Sequence, residues 1–282
     1  MAPTVPQAPT PPQAPTVPTP PDTPEQALIN GASVAGAEQT ESGDLYTFDC
    51  DDVERIVITW LAGSASVRTA DVEAIEVREY RVSNSRALPM TCTLNGSVLE
   101  IDYCEGGQGL VGCTFNYGHK QLEILIPEHK EDALQLFALD AASGSYDLEG
   151  FSAQALRVSL ASGGLAAQGV AADEFSLDMA SGTLDVSGEF GAVDAQVASG
   201  NATIACTHAP RSANLSLASG QLGLALPETA TFKADVDKVA GNFAIRGFDA
   251  TQHGNEWVCG KGEIPIAVDI ASGNVEVSAM RA

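Results

Sequence analysis

The chain has 282 residues, with 14 Lys+Arg against 37 Asp+Glu for a formal charge of −23. That balance argues against nucleic acid and against an anionic membrane surface as partners, because both need clustered cations. No apolar run reaches the length of a membrane helix, and the N-terminus shows neither a basic n-region nor an h-region, so no export signal and no transmembrane segment is read.

In chain order, the first 24 residues hold ten of the 15 prolines, a composition that predicts a stiff, solvated polyproline spacer. Residues 1–43 are therefore read as a disordered Pro-rich arm and lead-in, in which Glu25 to Ile29 fits either one helical turn or more lead-in. From Asp44 the pattern turns β. Leu45 to Phe48 alternates, and Val53 to Trp60 and Ala74 to Arg78 are rich in β-branched residues with polar ones between. Asn95-Gly96 supplies the two positive φ angles of a type I′ turn, predicting a hairpin from Thr91–Leu94 and Ser97–Asp102. Gln121 to Ile126 reads as a strand that ends at Pro127, which has no N–H to continue a ladder. Residues 44–132 thus form a region of less regular strands and a hairpin.

Residues 133–282 carry a repeat. Ala-Ser-Gly recurs with its Ser and Gly at Ser143, Gly144, Ser162, Gly163, Ser181, Gly182, Ser199, Gly200, Ser219, Gly220, Ser272 and Gly273. The first five serines are spaced by 19, 19, 18 and 20 residues. Six, four and two residues before each Ser the side chains are apolar (Leu156, Val158 and Leu160, for example), and three and five after it they are apolar again (Leu165 and Ala167). Each unit is therefore two short strands sharing one core, joined at a corner where Ser hydrogen-bonds locally and Gly takes a φ that other residues resist. Such a unit buries its apolar edge only by stacking on its neighbours. The fold expected is all-β, a single-stack parallel β-helix or β-solenoid with coils of about 19 residues.

Stacking also sorts the acids into columns. Three residues before Ser stand Asp140, Ser159, Asp178, Gln196, Ser216 and Asp269; four after it stand Asp147, Ala166, Asp185, Thr203, Gly223 and Glu276. Unit charges in water repel by about 0.9 kcal/mol at one strand spacing and about 0.4 at two, so alternating acids with neutral residues relieves the stack. The acids Asp140, Asp178, Asp269, Asp147, Asp185 and Glu276 are the candidate binding residues. They stand too far apart to share a calcium ion, and no metal or other cofactor is expected. The segment from Thr229 to Val239 looks less regular, Ala240-Gly241-Asn242 resembles a degenerate corner, and Thr251 to Gly262 reads as an exposed excursion before the last coil. Asn274–Ser278, so near the end, is expected to leave an edge strand open to self-association.

No nucleophile elbow, Walker loop or dinucleotide fingerprint is present. The repeated serines lack a base, since His208 and His253 stand in turn-like sequence without matching acids. No catalytic residue is assigned. Six cysteines occur with no C-x-x-C pair; Cys104 and Cys113 bracket a Gly-rich loop that suits a small disulfide, and a set of free thiols fits equally well.

The repeat, with Leu122 to Pro127 before it and Gly262 to Gly273 closing it, resembles the putative adhesin family of bacterial β-strand-repeat (β-solenoid) proteins. The resemblance covers about Asp44 to Ser278 and carries no catalytic residue. It implies a single-stack solenoid of the cell envelope or extracellular space, and the sequence itself leaves a cytoplasmic location open. Two readings follow. One is a non-enzymatic structural or adhesive module with an acidic surface; the other is an envelope-stress sensor or decoy that binds cationic peptides, to which −23 would be attracted over a Debye length of about 8 Å. A carbohydrate-active enzyme with paired carboxylates is a third and weaker reading.

Overall fold

Alternation of apolar and polar residues turns nearly the whole described chain into strand. The structure is a computed structural model and describes residues 38–40, 43–81, 90–103, 120–128, 130 and 133–280. No described residue is helical, so no helix is long and apolar enough to cross a membrane. Cys104 and Cys113 lie outside the described residues, as does most of the proline-rich arm.

The strands run in chain order from an N-terminal group: β1 (Glu38–Thr40), β2 (Gly43–Phe48), β3 (Arg55–Trp60), β4 (Gly63–Ala70), β5 (Ile75–Arg81), β6 (Thr91–Asn95), β7 (Val98–Tyr103) and β8 (Lys120–Pro127). The regular coils follow with β9 (Leu134–Ala141), β10 (Ser145–Glu149), β11 (Ser152–Leu160), β12 (Gly164–Met179), β13 (Thr183–Phe190), β14 (Ala192–Val197), β15 (Asn201–Cys206), β16 (Ser212–Leu217) and β17 (Gln221–Leu226). The C-terminal group is β18 (Phe232–Lys238), β19 (Asn242–Arg246), β20 (Ala250–His253), β21 (Glu256–Cys259), β22 (Ile264–Ile270) and β23 (Asn274–Ala279).

Strands before the corners form one face and strands after them the other, all parallel through the regular coils and in the register that the repeat predicts: Leu156 sits between Phe137 and Phe175, and Leu165 pairs with Leu184. The side chains between the faces make one continuous apolar core. Ile56, Phe137, Leu156, Phe175, Val193, Ala213, Ile266 and Ala234 follow one another up a single column, all buried. Where Phe falls in this column a second aromatic fills the adjoining bend, Phe151 at 4.7 Å from Phe137 and Phe190 at 4.9 Å from Phe175.

The ends of the stack depart from chain order. The coil made by β3 and β4 lies between the β7–β8 coil and the β9–β10 coil. At the other end β22 lies between β16 and β18, and β23 between β17 and β19. The expected open edge at Asn274–Ser278 is thus corrected: that strand is paired on both sides, because the last coil in sequence is the penultimate coil in space. The outermost coil is instead β18–β19. Its β18 is extended by the antiparallel hairpin β20–β21, which is what the Thr251–Gly262 excursion becomes. At the opposite end β6 closes one face and β5, β2 and β1 close the other, all antiparallel. The Asn95-Gly96 hairpin forms as predicted, with Gly96 at φ 62°.

Candidate functional site

The corners form a ladder of backbone contacts. Gly144, Gly163, Gly182, Gly200, Gly220 and Gly273 all take φ between 102° and 141°. The residue after each glycine donates its N–H to the carbonyl of the glycine one coil back, as Thr183 N to Gly163 O at 2.9 Å and Asn201 N to Gly182 O at 3.0 Å. A Cβ on Gly182 would lie 2.2 Å from Gly163 O, so the glycine is required by the stacking as well as by its own φ. The serine hydroxyls serve the same ladder. Ser143, Ser162 and Ser181 donate to the carbonyls of Leu61, Ala142 and Ala161 at 3.3, 3.0 and 3.0 Å. A hydroxyl committed to a carbonyl in the preceding coil, with no base beside it, is a structural donor.

Two corners lack the Ala-Ser-Gly wording: the one at Gly63 escaped the sequence reading, and the one at Gly241 is the degenerate corner expected at Ala240-Gly241-Asn242. Gly63 follows Leu61-Ala62 and stacks under Gly144, and Gly241 follows Val239-Ala240 and stacks on Gly273. Their flanking alternation was the available signal: Ile56, Ile58 and Trp60 precede the first at the spacing of the other coils. In the second, the place held elsewhere by Leu160, Met179 or Ile270 is taken by exposed Lys238. An inward position occupied by lysine marks a coil with nothing stacked beyond it.

The acid columns have the predicted geometry. Ser159 pairs with both Asp140 and Asp178, and Asp147 and Asp185 flank Ala166, so these acids stand two strands apart on the outside of the stack. Insertion of the last coil changes the top of each column. Asp269 is flanked by Ser216 and Asp237, which puts two acids on adjacent strands. Asp178, Gln196, Ser216, Asp269 and Asp237 line a groove of about 490 Å³. Glu276 is not a free acid: Arg246 Nε lies 2.7 Å from its Oε2.

Outside the columns, His208 does have an acid partner, contrary to expectation. Its Nδ1 is 3.2 Å from Glu189 Oε1, with both side chains largely exposed (72% and 60%). The partner comes from the coil below, so it is invisible at sequence range. Asp49, Cys50 and Asp51 bring three ligand-type atoms within 4.8 Å of one another. This is a local turn, with Asp49 Oδ1 accepting from Asp51 N at 3.1 Å and Lys130 Nζ donating to Cys50 O at 2.6 Å. Lys120 and Glu79 form a wholly buried ion pair, 2.5 Å apart, with the ammonium 4.4 Å from the centroid of the Tyr103 ring. Cys50, Cys92, Cys206 and Cys259 are buried free thiols, and burial pushes Cys92 and Cys206 up to about 12.

The fold and its corners define a β-solenoid of stacked two-strand coils whose repeated polar residues maintain the backbone. The chain belongs to the Toastrack DUF4097 family, whose profile matches residues 53–278. No curated protein sequence matches it. Among solved structures it is similar to a putative adhesin from Bacteroides fragilis, at 12% identity over 86% of this chain and 98% of that one, with a TM-score of 0.45. It is also similar to a putative cell adhesion protein from Clostridium sporogenes (13% identity, 84% and 98% of the two chains, TM-score 0.36). A putative lipid binding protein from Parabacteroides distasonis is a third (12%, 86% and 98%, TM-score 0.40).

Proposed function

We propose that this chain is a non-enzymatic, cell-envelope-associated module, structural or adhesive, that meets its partners through the acidic outer faces of the stack. The observation that carries the reading is the division of labour in each coil. Inward positions are filled by packed apolar side chains, the corner serines Ser143, Ser162 and Ser181 are engaged by backbone carbonyls, and the acids of the columns face out. A rigid surface with graded charge suits binding. Protease added to intact source cells tests the location: digestion of the solenoid from outside is the expected result, and full protection until the cells are lysed would sink the envelope assignment.

The groove over Asp178, Asp237 and Asp269 favours one specific partner class, cationic peptides. Three carboxylates along one trough attract a cationic chain at low salt and lose it as salt screens them. A cationic peptide titrated against wild type and against the triple variant Asp178→Asn, Asp237→Asn, Asp269→Asn should bind the wild type more tightly. Equal affinities would remove the peptide reading while leaving the structural module intact.

A further inference from the structure

We propose that the free edge of β19 is a self-association site, at which a second copy of this chain docks antiparallel across a two-fold axis through Ala244. At this end of the stack the two faces are treated differently. The face ending in β18 is continued by the hairpin β20–β21, whereas β19 pairs with β23 alone among the described residues. Asn242 N–H donates to Gly273 O at 2.8 Å. In a parallel ladder the direction alternates, so Asn242, Ala244 and Arg246 face β23, and Phe243 and Ile245 turn their backbone N–H and C=O outward along the edge.

The core beneath that edge is incompletely covered. Leu148, Ala167, Val186, Ile204, Leu224 and Val277, which occupy the place of Ile245 in the other coils, are between 0% and 3% exposed. Ile245 is only half-buried, and Val239 at the same end is 91% exposed.

A second copy fits better than an unrelated strand because the edge is complementary to itself. A two-fold axis through Ala244 sets Phe243 opposite Ile245 of the other copy, apolar against apolar on the core side. On the outer side it sets Asn242 opposite Arg246, so no charge meets its own image. Ala244 then faces Ala244 as a non-hydrogen-bonded pair, with hydrogen-bonded pairs on either side of it. Charge also permits the approach. The chain as a whole carries −23, yet this end of the stack is close to neutral: the two strands of the outermost coil hold Lys233, Lys238 and Arg246 against Asp235 and Asp237, with Lys233 and Arg246 paired to Glu256 and Glu276 on the neighbouring strands. Two copies can meet here without the repulsion that the acidic faces would impose.

Sedimentation velocity on the full chain over a concentration series should show a monomer–dimer equilibrium, and Ala244→Lys should abolish the dimer. This substitution places two ammonium groups face to face across the axis while leaving the outward side of the single stack free to carry a lysine. Circular dichroism and Tm of the variant confirm folding. In a Cys104→Ser/Cys113→Ser background, Ala244→Cys should form a disulfide-linked dimer under mild oxidation. Antiparallel non-hydrogen-bonded pairs have Cα atoms about 4.5 Å apart, within the disulfide range. Thr203→Cys, in the same outward column on an interior strand, should stay monomeric. A wild type that remains monomeric throughout, a dimer that survives Ala244→Lys, or cross-linking that is no greater for Ala244→Cys than for Thr203→Cys would each overturn the proposal.

Discussion

Glycine does two jobs in this chain, and the difference can be measured. Gly96 has φ 62° with nothing within 4 Å of an added Cβ, whereas Gly182 has φ 120° and a backbone oxygen 2.2 Å from that position. Gly96→Ala should therefore cost only the left-handed strain, about 1 kcal/mol. Gly182→Ala should cost about 3 kcal/mol or more, because stacking as well as φ must give way. Urea unfolding of the two variants checks this, and equal losses would show that φ alone explains the corners. The buried thiols set a second residue-scale expectation. The unfolded thiol ionises near pH 8.5, whereas burial holds the protons of Cys92 and Cys206 to about 12. Their contribution is fully present below the unfolded pKa and is lost as pH rises from there toward 12, at about 1.4 kcal/mol per pH unit for each thiol. Unfolding followed in reductant should show that alkaline slope, and Cys206→Ala should flatten it by one thiol's share.

At the scale of elements, the hairpin β20–β21 holds the outermost coil. Trp257 packs 5.9 Å from Phe243, Phe248 packs edge-on at 5.1 Å from Phe232, and Lys233 bonds Glu256 at 2.7 Å across the strand pair. Half-burial of the indole makes Trp257→Ala worth about 2 kcal/mol locally, and hydrogen exchange should accelerate in β18 and β19 before any change appears in β11 to β14. Uniform acceleration would instead mean that the stack opens as one unit. This hairpin also shows where the sequence stopped being readable. The regular coils were legible because Ala-Ser-Gly fixes each corner and the alternation around it fixes which side chains face the core. The Leu61-Ala62-Gly63 corner was not, since the serine is absent and only the spacing of Ile56, Ile58 and Trp60 remains. The acid columns were legible up to Ser216, where order in sequence equals order in space, and failed at Asp269, whose neighbour Asp237 comes from a coil placed out of turn. His208 and Glu189 meet through in-order stacking of neighbouring coils, a contact that spacing within one coil does not show.

At the scale of the whole molecule, both ends of the stack interleave the chain, and any coil's apolar edge could in principle dock on any other. What separates them at the C-terminal end is the inward series: β22 and β23 supply Ile264, Ile266, Val268, Ile270, Val275 and Val277, all buried, whereas the β18–β19 coil has Lys238 at an inward place. The wholly apolar coil goes inside and the coil with the lysine goes outside. Placing the chain's final strands inside the stack gives each of them two parallel neighbours and leaves the outermost position to a coil already reinforced by its hairpin. This arrangement makes the last coil a keystone for the coil before it. Truncation after Gly262 removes the only described parallel neighbour of β18 and the only described partner of β19, so hydrogen-exchange protection should vanish from β19 and fall in β18, which keeps only its pairing with β21. Protection should persist through β9 to β15, whose neighbours are untouched. If residues 232–246 stay protected in the truncated chain, that coil has moved down onto β16 and β17, and stacking order is set by availability rather than by the inward residues. The same dependence bears on folding: β18 and β19 cannot complete their ladders until residues 264–279 have arrived, so pulse-labelled exchange should show the two coils becoming protected in a single phase, later than the regular coils between Leu134 and Leu226.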